Sequence, residues 1–396
     1  MTDSQRVIVA GASMAGLRAA EALRKTGFNG ELLVIGDEPH MPYNRPPLSK
    51  EALADGLAVG DLIFRLPAAL AQASWRLGTR VQSCDLGAHT LTLDTGESLY
   101  WDALVIATGV RPRRIAAPGP AAGRHVLRTV DDVHRLRSRL QPGTRLVIIG
   151  AGFLACEVAA SARTLGAEVD VVAPESVPMQ RALGHALGAD LQRRHEQGRV
   201  RFHLGRHPVA FNGTERVDSI HLSDGTELSC DVVLEAVGCL PNTEWLAGNG
   251  LDLTDGVLCD NTLRVQSVTG VVACGDIARF PNPLIDEVPR RVEHWMMALE
   301  TGRQAGLTLG RTLLGADSIS APFTPIPSFW SDQANVRLQS YGAVGAGIGD
   351  IRILEGAFGE EVALGYHRDN LLVGVVLVGM AGRLSHYRSR IAGPSL

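Results

Sequence analysis

Two glycine-rich turns are the parts of this sequence whose residue types and spacing most clearly indicate chemistry. The first turn spans residues 11–16 and the second spans residues 150–155, and each follows a short apolar run and precedes a helix-like stretch. Backbone N–H groups at the start of a helix bind phosphate, and small residues let a pyrophosphate approach the backbone closely. The sequence therefore predicts two dinucleotide-binding sites.

Acidic residues further along the chain indicate which nucleotides these are. Asp37 and Glu38 follow the strand after the first turn, where a carboxylate accepts hydrogen bonds from ribose hydroxyls. Asp276, after Gly275 at the end of a later strand, can accept a hydrogen bond from a flavin ribityl or phosphate-side hydroxyl. Two dinucleotide motifs followed by this Gly-Asp pair predict a tightly bound, non-covalent FAD and an exchanging nicotinamide.

The elements that must position these residues predict an α/β fold. We expect two doubly wound, Rossmann-like domains of the glutathione-reductase type, because each turn opens a strand–helix–strand unit. Short, regularly spaced strands near the end of the chain predict a small α+β domain. The expected boundaries are 1–111 with 240–320 for the FAD domain, 112–239 for the NAD domain and 321–396 for the C-terminal domain.

Composition narrows the classes of protein that the chain can belong to. The 396 residues carry a net charge of -4, which argues against a nucleic-acid-binding protein. The apolar runs are too short to cross a bilayer and the first residues do not resemble a signal peptide, so we expect a cytoplasmic protein without a membrane segment. None of the six cysteines has metal-site spacing, so no metal site is expected.

The chain resembles the FAD-dependent ferredoxin reductases that serve oxygenases. The segments that carry the resemblance run in order over essentially the whole chain, and they are 11–16, 37–50, 107–109, 150–160, 274–278, 292–295 and 329–333. The resemblance implies that Arg45 and Lys50 lie along the flavin, with Lys50 reaching its N5/O4 edge and Glu157 facing Lys50 and the nicotinamide. A cation there suits hydride transfer, since the reduced flavin gains negative charge.

Catalytic roles are therefore expected for Lys50 and Glu157. Trp295 and Trp330 are expected to flank the flavin. The full set expected to bind the two cofactors is Gly11, Ser13, Ala15, Gly16, Asp37, Arg45, Lys50, Val81, Ala107, Thr108, Gly109, Arg111, Gly150, Gly152, Phe153, Leu154, Glu157, Glu175, Gly238, Gly275, Asp276, Glu293, His294, Trp295 and Trp330.

Charge indicates the coenzyme, and the resemblance implies the electron acceptor. The stretch 171–178 after the second turn contains Glu175 and no Lys or Arg, which favours NADH over NADPH because a 2′-phosphate needs a positive group. The implied partner is an iron–sulfur ferredoxin of the 2Fe-2S or 3Fe-4S type, which feeds a haem-thiolate monooxygenase or a Rieske dioxygenase. A basic patch for it is expected among Arg290, Arg291, Arg303 and Arg311.

Two alternative functions are compatible with the same pair of nucleotide-binding domains. One is a thiol-independent NAD(P)H oxidase or a disulfide-reductase-like flavoprotein. Disulfide and peroxide reductases use a cysteine next to the flavin, and that cysteine is missing from residues 42–50 and from the first long helix. The other is a non-catalytic flavin-binding protein, in which Lys50 and Glu157 would have little reason to occur together. Reduction of the flavin by NADH separates the enzymes from the binding protein.

Overall fold

The computed structural model describes residues 5–266, 268–316, 322–333 and 335–391, and the chain divides into two compact units. The first unit comprises Met1–Asn44, Leu62–Arg111 and Pro241–Pro327, and the second comprises Arg45–Asp61, Pro112–Leu240 and Ser328–Leu396. This division groups residues 45–61 with the second unit, whereas the three-domain division stays a prediction. Its boundary at 320/321 lies outside the described residues.

The elements alternate between strands and helices in the order expected for an α/β fold. The helices are α1 Met14–Lys25, α2 Glu51–Ala54, α3 Val59–Leu62, α4 Val130–Arg137, α5 Phe153–Thr164, α6 Gln180–Leu183, α7 His185–Gln197, α8 Trp295–Leu313 and α9 Leu384–Arg388. The strands are β1 Arg6–Ala10, β2 Glu31–Ile35, β3 Ser74–Arg76, β4 Val81–Asp85, β5 Thr90–Leu93, β6 Ser98–Tyr100, β7 Ala103–Ile106, β8 Val110–Pro112, β9 Arg124–His125, β10 Arg145–Ile149, β11 Glu168–Ala173, β12 Val200–Leu204, β13 Pro208–Asn212, β14 Ser219–Leu222, β15 Glu227–Ser229, β16 Val232–Glu235, β17 Cys239–Pro241, β18 Val257–Leu258, β19 Val271–Ala273, β20 Ala278–Asn282, β21 Asp286–Arg290, β22 Ser328–Gln333, β23 Val336–Gly342, β24 Ile351–Gly356, β25 Val362–Arg368 and β26 Leu371–Val378.

A five-stranded parallel sheet in the order β19-β7-β1-β2-β3 forms the centre of the first unit. Its inner strands are continuous apolar runs, and Val7–Ala10 and Ala103–Ile106 are buried along their whole length. Such runs are typical of parallel strands that are covered on both faces. The strand order is that of a doubly wound nucleotide-binding fold, whose ligands bind at the carboxyl ends of the strands.

Helix α8 packs closely against α1, the helix that begins at the first glycine turn. A methyl group on Gly302 would lie 2.4 Å from the Ala15 carbonyl oxygen, and one on Gly306 would lie 2.2 Å from that of Ala19. Gly310 meets Thr26 in the same way, at 2.2 Å from its hydroxyl oxygen. The three glycines, one helical turn apart, thus let the two helix backbones touch and fix the start of α1.

The second unit repeats the doubly wound arrangement, with the parallel sheet order β12-β11-β10-β16-β9. It also holds a five-stranded antiparallel sheet in the order β22-β23-β26-β25-β24. The predicted α/β fold class is confirmed, including the late antiparallel strands. Among the described residues, no helix is both long and apolar enough to cross a membrane.

Candidate functional site

The first glycine turn connects β1 to α1 through an unusually close approach of backbones. Gly11 has φ +123°, and a methyl group there would lie 2.1 Å from the Ala107 carbonyl oxygen. On Gly16 a methyl group would lie 1.9 Å from the Gly11 carbonyl oxygen. The turn thus tolerates no side chain at either position, and the first-turn N–H groups of the twelve-residue helix α1, which begins at Met14, have no partner within the helix.

The turn that carries Asp276 is fixed to the same region of the first unit. Gly275 has φ +75°, and a methyl group there would lie 2.7 Å from the Cβ of Ala15. Its N–H donates to the buried hydroxyl of Thr301 at 2.9 Å, and that hydroxyl donates to the Met297 carbonyl oxygen at 2.6 Å. Helix α8 thereby places the Gly-Asp pair next to the start of α1, and Thr301 is a positioning residue that the sequence analysis did not identify.

The two carboxylates after β2 differ in their surroundings. Glu38 accepts a hydrogen bond from the Tyr43 hydroxyl at 2.5 Å. Asp37 keeps 57% of its side chain exposed, and its nearest cation, Arg80, is 3.6 Å away. An exposed carboxylate at this strand end is what the hydroxyls of a ribose require, so the first unit fits a dinucleotide in the position expected for FAD.

Other residues expected to bind FAD are spread over the first unit. Trp295 begins α8 and stacks on Phe64, with 6.4 Å between ring centroids. His294 is the residue before it, and burial lowers the pKa of its imidazole to about 4, although nearby Asp276 acts in the opposite direction. The remaining members of the expected set in this unit are Ser13 at the N-terminal cap of α1, Val81 in β4, Ala107, Thr108 and Gly109 after β7, Arg111, which is bonded to Glu244, and Glu293, which is paired with Arg291.

The second glycine turn has one tightly packed glycine and one in open space. Gly150 has φ +106°, and a methyl group there would lie 2.2 Å from the Ala236 carbonyl oxygen. Gly152 caps α5 at φ -79°, and apart from its neighbours in the chain no described atom lies within 4 Å of a methyl group placed there. A space that a Cβ would fill at the start of a long helix fits the pyrophosphate of a second dinucleotide.

Glu157, one turn further along α5, lies at the centre of a buried polar cluster. Its Oε2 lies 2.8 Å from the Lys50 ammonium and accepts a hydrogen bond from the Ser49 hydroxyl at 2.5 Å. Its Oε1 accepts a hydrogen bond from the Ser331 hydroxyl at 2.6 Å. Glu157 is only 7% exposed, so the carboxylate is held by these donors and not by water.

Lys50 is held on two sides. Besides Glu157, its ammonium donates to the Pro46 carbonyl oxygen at 3.1 Å. Within the described part of the chain these are its only two acceptors, so one of its three N–H groups is left for a ligand. The side chain is 12% exposed. The other expected residues of this unit are Arg45, which donates to the Arg128 carbonyl oxygen, Leu154 in α5, Gly238 at φ +96° and the half-buried Trp330 in β22.

Alternate residues of strand β22 face the second glycine turn and its helix. Phe329 contacts Phe153, with 4.7 Å between ring centroids, and Ser331 bonds to Glu157. Next on the same face is Gln333, since side chains two apart in a strand point the same way. Ser49, Ser331 and Gln333 were missed by sequence reasoning, although all three lie in segments that carry the resemblance, 37–50 and 329–333.

With this geometry the chain can be compared with known proteins. The sequence model of the family described as pyridine nucleotide-disulphide oxidoreductase matches residues 5–302. The chain belongs to this family. The match includes both glycine turns, Lys50, Glu157 and the Gly275–Asp276 pair, so this oxidoreductase has the FAD- and nicotinamide-dependent character expected from the sequence.

Relatives and solved structures indicate the branch of the family. The oxidoreductase is 36% identical over 401 residues to the ferredoxin reductase component of chlorobenzene dioxygenase from Cupriavidus sp. strain PS12, covering 97% of this chain and 93% of the relative. Its structure resembles that of a ferredoxin reductase from Rhodopseudomonas palustris, with a TM-score of 0.90, 32% identity and coverage of 98% and 96%. A covalent putidaredoxin reductase–putidaredoxin complex gives a TM-score of 0.89, 28% identity and coverage of 99% and 93%. The predicted resemblance to oxygenase-coupled ferredoxin reductases is confirmed.

The buried cysteines of this oxidoreductase do not suit thiol chemistry. Five of the six cysteines are buried, and they are Cys84, Cys156, Cys230, Cys259 and Cys274. Burial raises the pKa of the Cys156 thiol, next to Glu157, to about 12, and that of the Cys274 thiol likewise to about 12. A thiol with such a pKa forms little thiolate at neutral pH, and the thiolate is the nucleophile. In the described residues there is also no group of three or more His, Cys, Asp or Glu side chains that could hold a metal ion.

The prediction that Arg291 belongs to an exposed basic patch was wrong. The side chain of Arg291 is only 10% exposed and is paired with Asp255 at 2.7 Å and Glu293 at 2.6 Å. Its neighbour Arg290 is bonded to Asp286 at 2.5 Å. Arg291 follows the last residue of β21, and its two ion pairs and low exposure make it unavailable to a partner.

Proposed function

We propose that this chain takes a hydride from NADH onto FAD and passes single electrons to an iron–sulfur ferredoxin of an oxygenase system. The observation that carries the proposal is the buried Lys50–Glu157 pair, one helical turn beyond a glycine turn with room for a pyrophosphate. FAD, when bound, supplies the conversion between two-electron hydride chemistry and one-electron transfer. The family and the named relatives support the same function.

Lys50 has the role of a fixed positive charge. Its remaining N–H is the donor proposed to face the N5/O4 edge of the flavin, where negative charge develops as the hydride arrives. A charge that is already oriented stabilises a transition state without reorganisation at the moment of reaction. Glu157 and the Pro46 carbonyl oxygen supply that orientation, since each lies within hydrogen-bond distance of the Lys50 ammonium.

Glu157 has two roles in the proposal. It holds Lys50, and its carboxylate has acceptor capacity left for the carboxamide N–H of the nicotinamide, because three donors occupy two oxygens with about four acceptor positions. Its burial keeps water from competing for those positions. The same residue thus links the nicotinamide to the cation proposed to lie beside the flavin edge that receives the hydride.

The proposed preference for NADH rests on charges at the end of β11. Glu175 lies two residues beyond that strand and is paired with Arg181 at 2.9 Å. A second cation, Arg206, reaches the same strand end through its backbone N–H, which donates to the Ala173 carbonyl oxygen at 3.1 Å. Because Asp224 pairs with Arg206 at 2.8 Å, both cations are neutralised locally, and a 2′-phosphate would find no excess positive charge.

The partner and its location are parts of the same proposal. A small ferredoxin with a 2Fe-2S or 3Fe-4S cluster is the expected acceptor, followed by a haem-thiolate monooxygenase or a Rieske dioxygenase, in the cytoplasm. Two of the similar proteins support it: one relative is a dioxygenase component, and a structural neighbour is a complex of a reductase with putidaredoxin.

Two measurements on the FAD-loaded protein test the function. NADH added without oxygen is expected to bleach the flavin absorbance rapidly, and cytochrome c reduction is expected only when a ferredoxin is added. A panel of 2Fe-2S and 3Fe-4S ferredoxins then identifies the acceptor class. Slow bleaching would favour a non-catalytic flavoprotein, and fast bleaching with no ferredoxin dependence across the panel would contradict electron transfer to a ferredoxin.

A further inference from the structure

A buried chain of hydrogen bonds extends from Glu157 to a histidine on another helix of the second unit. Ser331 receives a hydrogen bond from the Gln333 amide nitrogen at 3.0 Å, and the Gln333 amide oxygen lies 2.8 Å from Nε2 of His195. The exposed fractions are 1% for Ser331, 3% for Gln333 and 1% for His195. We call His195, Gln333, Ser331 and Glu157 the buried relay.

The direction of every bond in the buried relay is fixed by donor chemistry. Ser331 has a single hydroxyl proton, and Glu157 Oε1 is the acceptor at 2.6 Å. The group of Gln333 beside Ser331 must then be the amide nitrogen, because an amide oxygen there would leave two acceptors facing one proton. The amide oxygen therefore faces His195, whose Nε2 must carry its proton.

His195 is suited to remain neutral in this place. It lies on α7 and is buried, with Phe202 edge-on at 6.1 Å between ring centroids. Burial lowers the pKa of the imidazole, although the hydrogen bond with Gln333 raises it. A neutral imidazole has one N–H donor, so the choice of tautomer decides whether Gln333 keeps its orientation.

We propose that Gln333 and His195 are positioning residues for hydride transfer, acting through Ser331 and Glu157 on the Lys50 ammonium. His195 donates to Gln333, Gln333 to Ser331 and Ser331 to Oε1 of Glu157, which leaves Oε2 directed at Lys50 and Ser49. The inference rests on the proposed function of Lys50 and Glu157. It assigns a function to the face of β22 that carries Ser331 and Gln333, which is the face that Trp330 points away from.

Removal of the relay is expected to loosen Glu157 without removing a charge. Without the Gln333 amide, the Ser331 hydroxyl can turn away from Oε1 of Glu157, and a carboxylate that loses this donor can rotate and move the ammonium it holds. Misplacement of a group by about 1 Å costs up to roughly a hundredfold in rate when the transition state depends on its position. We expect Q333L to lower the limiting rate of flavin reduction about tenfold, with the NADH dissociation constant changed less than about twofold.

Histidine variants provide a matched pair. The amide nitrogen of a glutamine reaches the position of Nε2, so H195Q keeps the donor, whereas H195L fills the space without one. We expect H195L to slow flavin reduction in the FAD-loaded enzyme and H195Q to restore most of the rate. Similar rates for the two variants would overturn the role of the His195 donor, whatever their melting temperatures.

Two further results separate this inference from the proposed function. In a K50A background, Q333L is expected to cause no additional loss, because both changes act on one group. Additive losses would show that Gln333 does not act through Lys50. If K50A itself reduces flavin at the wild-type rate, the proposed function fails. If K50A is slow and Q333L is not, only the relay fails.

A spectroscopic measurement tests the relay without turnover. With nitrogen-labelled histidine in the FAD-loaded protein, NMR is expected to show the proton of His195 on Nε2, and H195Q assigns the signal by its absence. A proton on Nδ1 instead would reverse the direction of the chain at its first bond and would overturn the proposal.

Discussion

Gly150 and Gly152 lie two residues apart in one turn, yet their surroundings are opposite. A methyl group on Gly150 would lie 2.2 Å from a backbone oxygen, whereas apart from chain neighbours none of the described atoms lies within 4 Å of one on Gly152. The backbone at Gly152 is also in a region open to any residue, with φ -79°. The fold thus requires the first glycine but not the second, whose open space is the one proposed for the pyrophosphate.

This contrast predicts that G152A folds normally but binds NADH poorly. The added methyl occupies the space proposed for the pyrophosphate, so the dissociation constant should rise about tenfold or more, roughly 1.4 kcal/mol. Thermal unfolding and NADH titration of the FAD-loaded protein measure the two effects. G150A is the matched control, and it should lower the melting temperature. Unchanged NADH binding in G152A would contradict the placement of the pyrophosphate.

Lys50→Ala is expected to slow hydride transfer by about tenfold or more while FAD stays bound, which corresponds to at least roughly 1.4 kcal/mol of transition-state stabilisation. The reason is the loss of an oriented charge near the flavin N5 edge. Stopped-flow flavin reduction gives the rate, and flavin absorbance of the purified protein gives the occupancy. The other lysine, Lys25, is 64% exposed, so K25A is a matched control that should behave as wild type.

NADH is expected to be preferred over NADPH by at least about tenfold in kcat/KM, or roughly 1.4 kcal/mol. E175A should narrow this gap mainly by weakening NADH, because the variant loses the acceptor for the ribose hydroxyls. Glu168 at the opposite end of β11 is 53% exposed, so E168A makes the same charge change away from the coenzyme. Equal or better wild-type rates with NADPH would refute this interpretation of the strand end.

Docking of an acidic ferredoxin is expected to depend on the exposed arginines of α8. Arg303 is 58% exposed, with Glu300 at 4.0 Å, and Arg311 is exposed on the same helix. Reversal of both charges should raise the KM for ferredoxin and weaken its salt dependence. The double reversal R135E/R139E changes the net charge equally elsewhere. A salt slope that stays the same in R303E/R311E would exclude these two residues from the docking surface.

His294 is expected to make stability depend on pH. Burial lowers its folded-state pKa from 6.5 to about 4, so between these values the unfolded chain binds the proton and the folded chain does not. The free energy of unfolding should therefore fall by about 3 kcal/mol in total as pH falls through this window. Below the folded-state pKa both states carry the proton, so His294 should add no further pH dependence there.

Chemical unfolding of wild type and H294Q across the same pH range measures this contribution. H294Q should lose that part of the slope, and H386Q, at an exposed histidine, should keep it. Parallel slopes for wild type and H294Q would show that His294 does not contribute.

The two nucleotide folds and their turns could be predicted from the sequence because their signals are local. Apolar runs such as Val7–Ala10 and Leu146–Ile149 report burial on both faces of a strand, and a glycine after each run reports a close backbone approach. These features depend on neighbours in the chain, so their pattern is visible without the fold.

The surroundings of single side chains were decided only by the tertiary structure. The resemblance, and not the spacing, suggested that Glu157 faces Lys50, and no sequence pattern connected it to Ser49, Ser331, Gln333 and His195, which come from three separate segments. Arg291 was expected on a surface and is instead enclosed by two carboxylates. Hydrogen bonds and ion pairs of this kind form between residues far apart in the chain, and their geometry is set by the packing of whole elements, which composition and periodicity do not encode.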